Sequence, residues 1–64
     1  MEEPEYLTAF EAAKVVGCAV QTLAAWRRRG FGPVWHNWGR RMVRYPRRAL
    51  EVWVRDWRMR DGQV

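Results

Sequence analysis

At 64 residues the chain has room for one domain, near the lower size at which apolar burial alone sustains a fold. One cysteine (Cys18) and one histidine (His36) exclude a disulfide framework and a zinc cluster, so the buried bulk must come from aromatic residues, five of them tryptophan. The net charge of +5 conceals a sharper segregation: no acid occurs from Gly17 to Leu50, a stretch that holds Arg27, Arg28, Arg29, Arg40, Arg41, Arg44, Arg47 and Arg48.

Met1 to Glu5 reads as an acidic, mobile lead-in. Thr8-Ala9-Phe10-Glu11 then matches a capping box, in which the Thr8 hydroxyl accepts from the Glu11 amide and the Glu11 carboxylate accepts from the Thr8 amide. The run AFEAAKVV predicts a two-turn helix with Phe10, Ala13 and the Val16 region inward and Lys14 outward, stopped by Gly17. A second helix is expected from Val20 to Arg29, ended by Gly30, with Ala19, Leu23 and Trp26 on its inner side. Gln21, Ala24, Ala25 and Arg28 then share its outer face, flanked by Thr22 and Arg29. Gly32-Pro33 breaks the helical pattern. Val34 to Trp38 and Arg41 to Tyr45 read as two strands about a Gly39-Arg40 turn, and Pro46 punctuates before the last helix. From Arg47 to about Met59, the residues Leu50, Trp53, Val54 and Trp57 have the spacing of a buried helical stripe; 61–64 reads as a frayed tail.

Two short helices about a turn at Gly17 fit a helix-turn-helix, whose first helix braces a second that enters the major groove. Taken alone, the pattern fits an ordinary αα-hairpin equally well. On the outer face Gln21 is placed to pair with a base edge, Thr22 to reach a phosphate or thymine methyl, and Arg28 to reach guanine or the backbone. Small Ala24 and Ala25 let the helix approach. The hairpin tip Gly39-Arg40-Arg41, with Arg44 on the return strand, suits insertion in or beside a minor groove. An edge strand blunted by charge would look similar. Together the two features point to double-stranded DNA as the partner, and arginine's flat fork suits phosphate oxygens and guanine edges.

The remaining residues read more plainly. Leu23, Trp26, Leu50, Trp53 and Trp57 are expected in the core, and Cys18 as small apolar filler beside the turn. One buried face does not account for both Trp35 and Trp38, so one of them is expected at the surface as a protein contact. Arg27, Arg47 and Arg48 are candidate phosphate contacts, the last two expected close to the hairpin; Arg55, Arg58 and Arg60 read as the wet side of the last helix. No acid lies within the basic middle to pair with His36, and no glycine loop cradles a phosphate, so no catalysis, small-molecule substrate or cofactor is expected. No apolar run approaches the length of a membrane span, and a lone thiol without a secretory signal predicts a reducing, cytoplasmic setting.

The pieces YLTAFEAAKVVG, TLAAWRRRGFGP and GRRMVRYPRRALEVW resemble, from Tyr6 to Trp57 and without insertion, the small winged helix-turn-helix proteins of the excisionase and AlpA-like regulator group, relatives of the MerR-type DNA-binding domain. The resemblance implies a single α+β domain over 1–64, with two N-terminal helices, a two-stranded β-hairpin wing and a C-terminal helix. It implies that Gln21, Thr22, Ala25 and Arg28 form the recognition-helix face beside Arg29. Arg40 and Arg41 would be the wing tip, and Arg44 a strand arginine facing the DNA backbone. It further implies a phage or mobile-element excisionase that self-associates on DNA, bends it near an attachment site and directs an integrase toward excision. The alternatives are a small phage or plasmid transcription regulator of the same fold, or a protein-interaction module without DNA binding. The chain departs from the family pattern at Ala19, where a serine-like cap is usual, and at Ala24 and Ala25, where basic residues are common. More of the grip is therefore expected from the wing.

Overall fold

Thr8 has two functions at the start of the fold. It ends a first strand, β1 (Tyr6–Thr8), and it caps the first helix, α1 (Ala9–Val16). The capping box forms as expected: the Glu11 amide donates to Thr8 Oγ1 at 3.1 Å and the Thr8 amide donates to Glu11 Oε1 at 2.9 Å. The computed structural model describes residues 5–61, so 1–4 of the expected lead-in and 62–64 of the expected tail lie outside the described residues. At both inner ends the expectation is corrected. The Glu5 carbonyl accepts from the Arg47 amide at 2.8 Å, and Asp61 still belongs to the last helix.

Gly17 takes a left-handed conformation (φ 89°), which glycine adopts without the steric cost of a Cβ. Its amide and that of Cys18 both donate to the Ala13 carbonyl, turning the chain into α2 (Val20–Arg29). Ala19 has the extended backbone of a helix cap, but no side chain bonds the helix start. It is exposed rather than inward, because a cap position lies outside the helical stripe that buries Leu23. Gly30 ends α2, again left-handed.

The sheet has three antiparallel strands in the order β1-β3-β2, where β2 is His36–Asn37 and β3 is Val43–Pro46. β1 was not anticipated; three residues are too few to show an alternation, and the helix cap at Thr8 masks them. The hairpin strands are shorter than Val34 to Trp38 and Arg41 to Tyr45. The turn is also one residue wider than Gly39-Arg40: the Trp38 amide donates to Met42 O at 3.0 Å and the Met42 amide to Gly39 O at 3.1 Å. Arg41 absorbs the extra residue with φ 59°, a left-handed conformation uncommon outside glycine. That shift sets the register His36↔Arg44 and Asn37↔Val43, and a one-residue change in register exchanges the faces of a strand. Val43 and Tyr45 consequently turn to the core, while Arg44 turns away with its partners Thr8 and His36.

The helix α3 (Arg47–Asp61) closes the fold over the sheet. Leu7, Ala12, Ala13, Leu23, Tyr45, Leu50 and Val54 make the buried core. Phe10, expected inside, is 63% exposed with Lys14 Nζ 4.8 Å above its ring. Its place inside is taken by Ala12 and Ala13, whose small side chains let α1 approach its neighbours. A second, half-buried cluster joins α2 to α3: Trp26, Phe31, Trp53 and Trp57 have ring centroids 5.1–6.1 Å apart, with Trp53 stacked on Trp57. Trp35 and Trp38 both reach the surface, so neither is core.

Candidate nucleic-acid interface

Leu23 fixes how α2 is rotated. With Leu23 fully buried, the opposite side presents Gln21, Ala25 and Arg28 in one stripe at i, i+4 and i+7. Gln21, Arg28 and Arg29 are exposed, while Thr22, Ala24 and Ala25 are half-buried. The centre of this face is therefore low, with long polar side chains at its two ends. Nothing acidic stands on α2, and its last turn carries Arg27, Arg28 and Arg29.

The hairpin presents a second basic point. Arg40 and Arg41 are both exposed at the tip, and the Gly39 amide, donating to Asn37 Oδ1 at 3.2 Å, firms the turn that carries them. Among the described residues, Arg28, Arg29, Arg40 and Arg41 have no carboxylate at ion-pair distance, so their charge is available to an anionic partner. Arg44 is half-buried and folds back: its guanidinium donates to the Val43 carbonyl at 2.8 Å and to Met42 Sδ at 3.3 Å. It shares the outer face of the sheet with Tyr6, His36 and Trp38, whose rings meet edge-on.

Three candidate phosphate contacts sit differently from expectation. Arg27 is turned inward, its Nη1 donating to Tyr45 Oη at 2.7 Å. Arg47 pairs with Glu51 at 3.3 Å. Arg47 and Arg48 follow the end of β3 that lies farthest from the tip. At roughly 3.3 Å per strand residue they are about 20–23 Å along the chain path from Arg41, away from the hairpin tip. The Arg27 partnership is the feature that sequence reasoning missed, although its position four residues after Leu23 was the available signal.

These elements, a capped brace helix, a glycine turn, an exposed-faced second helix and an arginine-tipped hairpin, follow one another without interruption. A family model described as a helix-turn-helix domain matches residues 6–58. The chain belongs to the helix-turn-helix domain family. No curated protein and no solved structure matches it. Membership makes DNA the partner of this helix-turn-helix chain, and the three helices with their small antiparallel sheet form its winged α+β fold. Within it α1 and α2 are the two helices of the helix-turn-helix, and the β2–β3 hairpin is the wing.

Cys18 lies off that surface, whereas His36 is exposed on β2 opposite Arg44. Burial pushes the Cys18 thiol above its ordinary value, so it is a neutral thiol near neutral pH, packed against the core beside the turn. Among the described residues no group of three His, Cys, Asp or Glu side chains could hold a metal ion. Among them, too, no helix is long and apolar enough to cross a membrane.

Proposed function

We propose that the protein is a double-stranded DNA-binding architectural factor of the excisionase kind, acting by binding and bending rather than by catalysis. The observation that carries the proposal is the pairing of two readers on one small fold: the stripe Gln21, Ala25 and Arg28 on α2, and Arg40 and Arg41 at the wing tip. The helix supplies sequence preference through Gln21 and Arg28 in the major groove, with Thr22 and Arg29 at its margins. The wing supplies grip in the adjacent minor groove, where the negative potential favours arginine. The low, alanine-bearing centre of α2 favours close approach over many base contacts, so DNA shape and neighbouring copies contribute to selection. The resemblance to excisionases and AlpA-like regulators supports the finer role: binding near an attachment site in a bacterial host's cytoplasm, with self-association on DNA, to turn an integrase toward excision.

Excision of a cognate element by its integrase, measured with and without this protein, tests the role. A rise in excised product is expected. Unchanged excision with a responding promoter would make the protein a transcription regulator of the same fold instead. At the level of DNA contacts, Arg40→Ala or Arg41→Ala should weaken binding to all duplexes, whereas Gln21→Ala should alter sequence preference; the reverse pattern would exchange the roles of helix and wing.

A further inference from the structure

Arg27 stands in the most basic stretch of the chain, yet it does not face the surface its neighbours face. It follows the buried Leu23 by four residues, so it leaves α2 toward the interior. Its Nη1 donates to Tyr45 Oη at 2.7 Å, and Tyr45 is wholly buried on the core side of β3. The same guanidinium carbon lies 5.7 Å from the Trp35 ring centroid and 6.0 Å from that of Tyr45. Trp35 directly precedes β2. One cation therefore reaches both arms of the hairpin, and among the described residues it has a phenol oxygen and an indole ring for partners rather than a carboxylate.

The backbone of α2 packs mainly against α1; its links to the sheet and to α3 are made by side chains. Trp26 reaches Trp53 and Trp57, and Arg27 reaches Trp35 and Tyr45. Leu23 also shares the buried core with Tyr45, but among the described residues it is Arg27 that makes a hydrogen bond from the groove-facing helix to the wing. We infer that Arg27 is a positioning residue of the DNA interface, clamping α2 to both arms of the wing through Tyr45 and Trp35 and so setting the offset between the helix and wing contacts, rather than a phosphate contact itself. The inference rests on the helix-and-wing mode of binding proposed above. Its physical logic is preorganisation: two readers bind as one unit only when their spacing is held before the DNA arrives.

Tyr45→Phe removes the bond while keeping the ring and every charge. Binding is read by anisotropy of a labelled duplex that the wild-type protein has selected from random sequence, after circular dichroism shows each variant folded. Loss of a single charge-assisted hydrogen bond should lower affinity about five- to ten-fold. The log–log salt slope should stay at the wild-type value, because no phosphate contact is removed. In an Arg40→Ala/Arg41→Ala background the same substitution should cost less than about two-fold, since no wing contact remains to be placed. Arg27→Lys, which keeps the charge but gives up the fork, should behave like Tyr45→Phe and carries the test alone if that variant fails to fold. Wild-type affinity in Tyr45→Phe together with a slope shallower by about one in Arg27→Gln would make Arg27 a phosphate contact and overturn the inference. An equal loss with and without the wing arginines would reduce the pair to general support of the fold. If the wild-type chain selects no duplex, the proposed function itself fails, an outcome distinct from both.

Discussion

At the scale of single residues, the chain shows which local chemistry is complete and which is not. The start of α1 has both halves of its capping box, with Thr8 and Glu11 each satisfying the other's amide. The start of α2 has the right backbone and no side-chain cap: Ala19 has φ −76° and ψ 151°, the extended geometry of a cap residue, and its carbonyl accepts from the Thr22 amide at 3.0 Å, but its side chain offers the first-turn amides no acceptor. Ala19→Ser would supply the missing acceptor without moving the backbone. It should stabilise the protein by about 0.5–1.5 kcal/mol, raising the thermal midpoint by several degrees in a domain this small. Thermal unfolding followed by circular dichroism checks this. A midpoint at or below wild type would show that the amides at the start of α2 are already satisfied by water.

At the scale of elements, legibility follows how local the determining chemistry is. The spans of α1 and α2 could be read because Thr8, Gly17 and Gly30 mark their ends, and α3 because Leu50 and Val54 define a stripe. β1 could not be read, since it exists through pairing with β3, a partner some forty residues away. The hairpin register was missed because Arg41 occupies a left-handed position that a glycine would have announced. Arg27 was legible as basic, and its spacing from Leu23 signalled an inward position, but its partners were not legible, since Tyr45 and Trp35 meet it only through the fold. The connection from α2 to β2 has a comparable hidden constraint at Gly32. With φ 101° it lies outside the range that side-chained residues readily adopt, and an added Cβ would approach Trp26 Cε3 to 3.1 Å. Gly32→Ala should cost about 1–3 kcal/mol by backbone strain and by displacing the ring that meets Phe31, Trp53 and Trp57. Chemical denaturation measures it, and an unchanged midpoint would mean that this aromatic cluster shifts freely.

At the scale of the whole molecule, the question is how many of the arginines act together on one polyanion. The Cα frame is a flattened body of 37 × 33 × 16 Å, so a single docking cannot present every side of it to DNA. Arg27 is held by Tyr45, and Arg47 pairs with Glu51. Arg48 lies at the end of the sheet away from the tip, where it borders an apolar hollow with Val34, Pro46 and Val52. Arg55, Arg58 and Arg60 stand on the second half of α3, so the helix-and-wing mode proposed above draws on Arg28 and Arg29 of α2 and on Arg40, Arg41 and Arg44 of the wing. Each phosphate neutralised adds about −0.9 to the slope of log affinity against log salt, so about five contacts give a slope of roughly −4 to −5. Arg40→Ala/Arg41→Ala should make the slope shallower by about two, because both charges belong to that set. Arg48→Ala should leave it unchanged. Equilibrium binding across a series of salt concentrations reads all three. A slope that shrinks equally for Arg48 and for the tip would mean that the DNA runs along the sheet to the start of α3, and an affinity indifferent to salt would remove the helix-and-wing mode altogether.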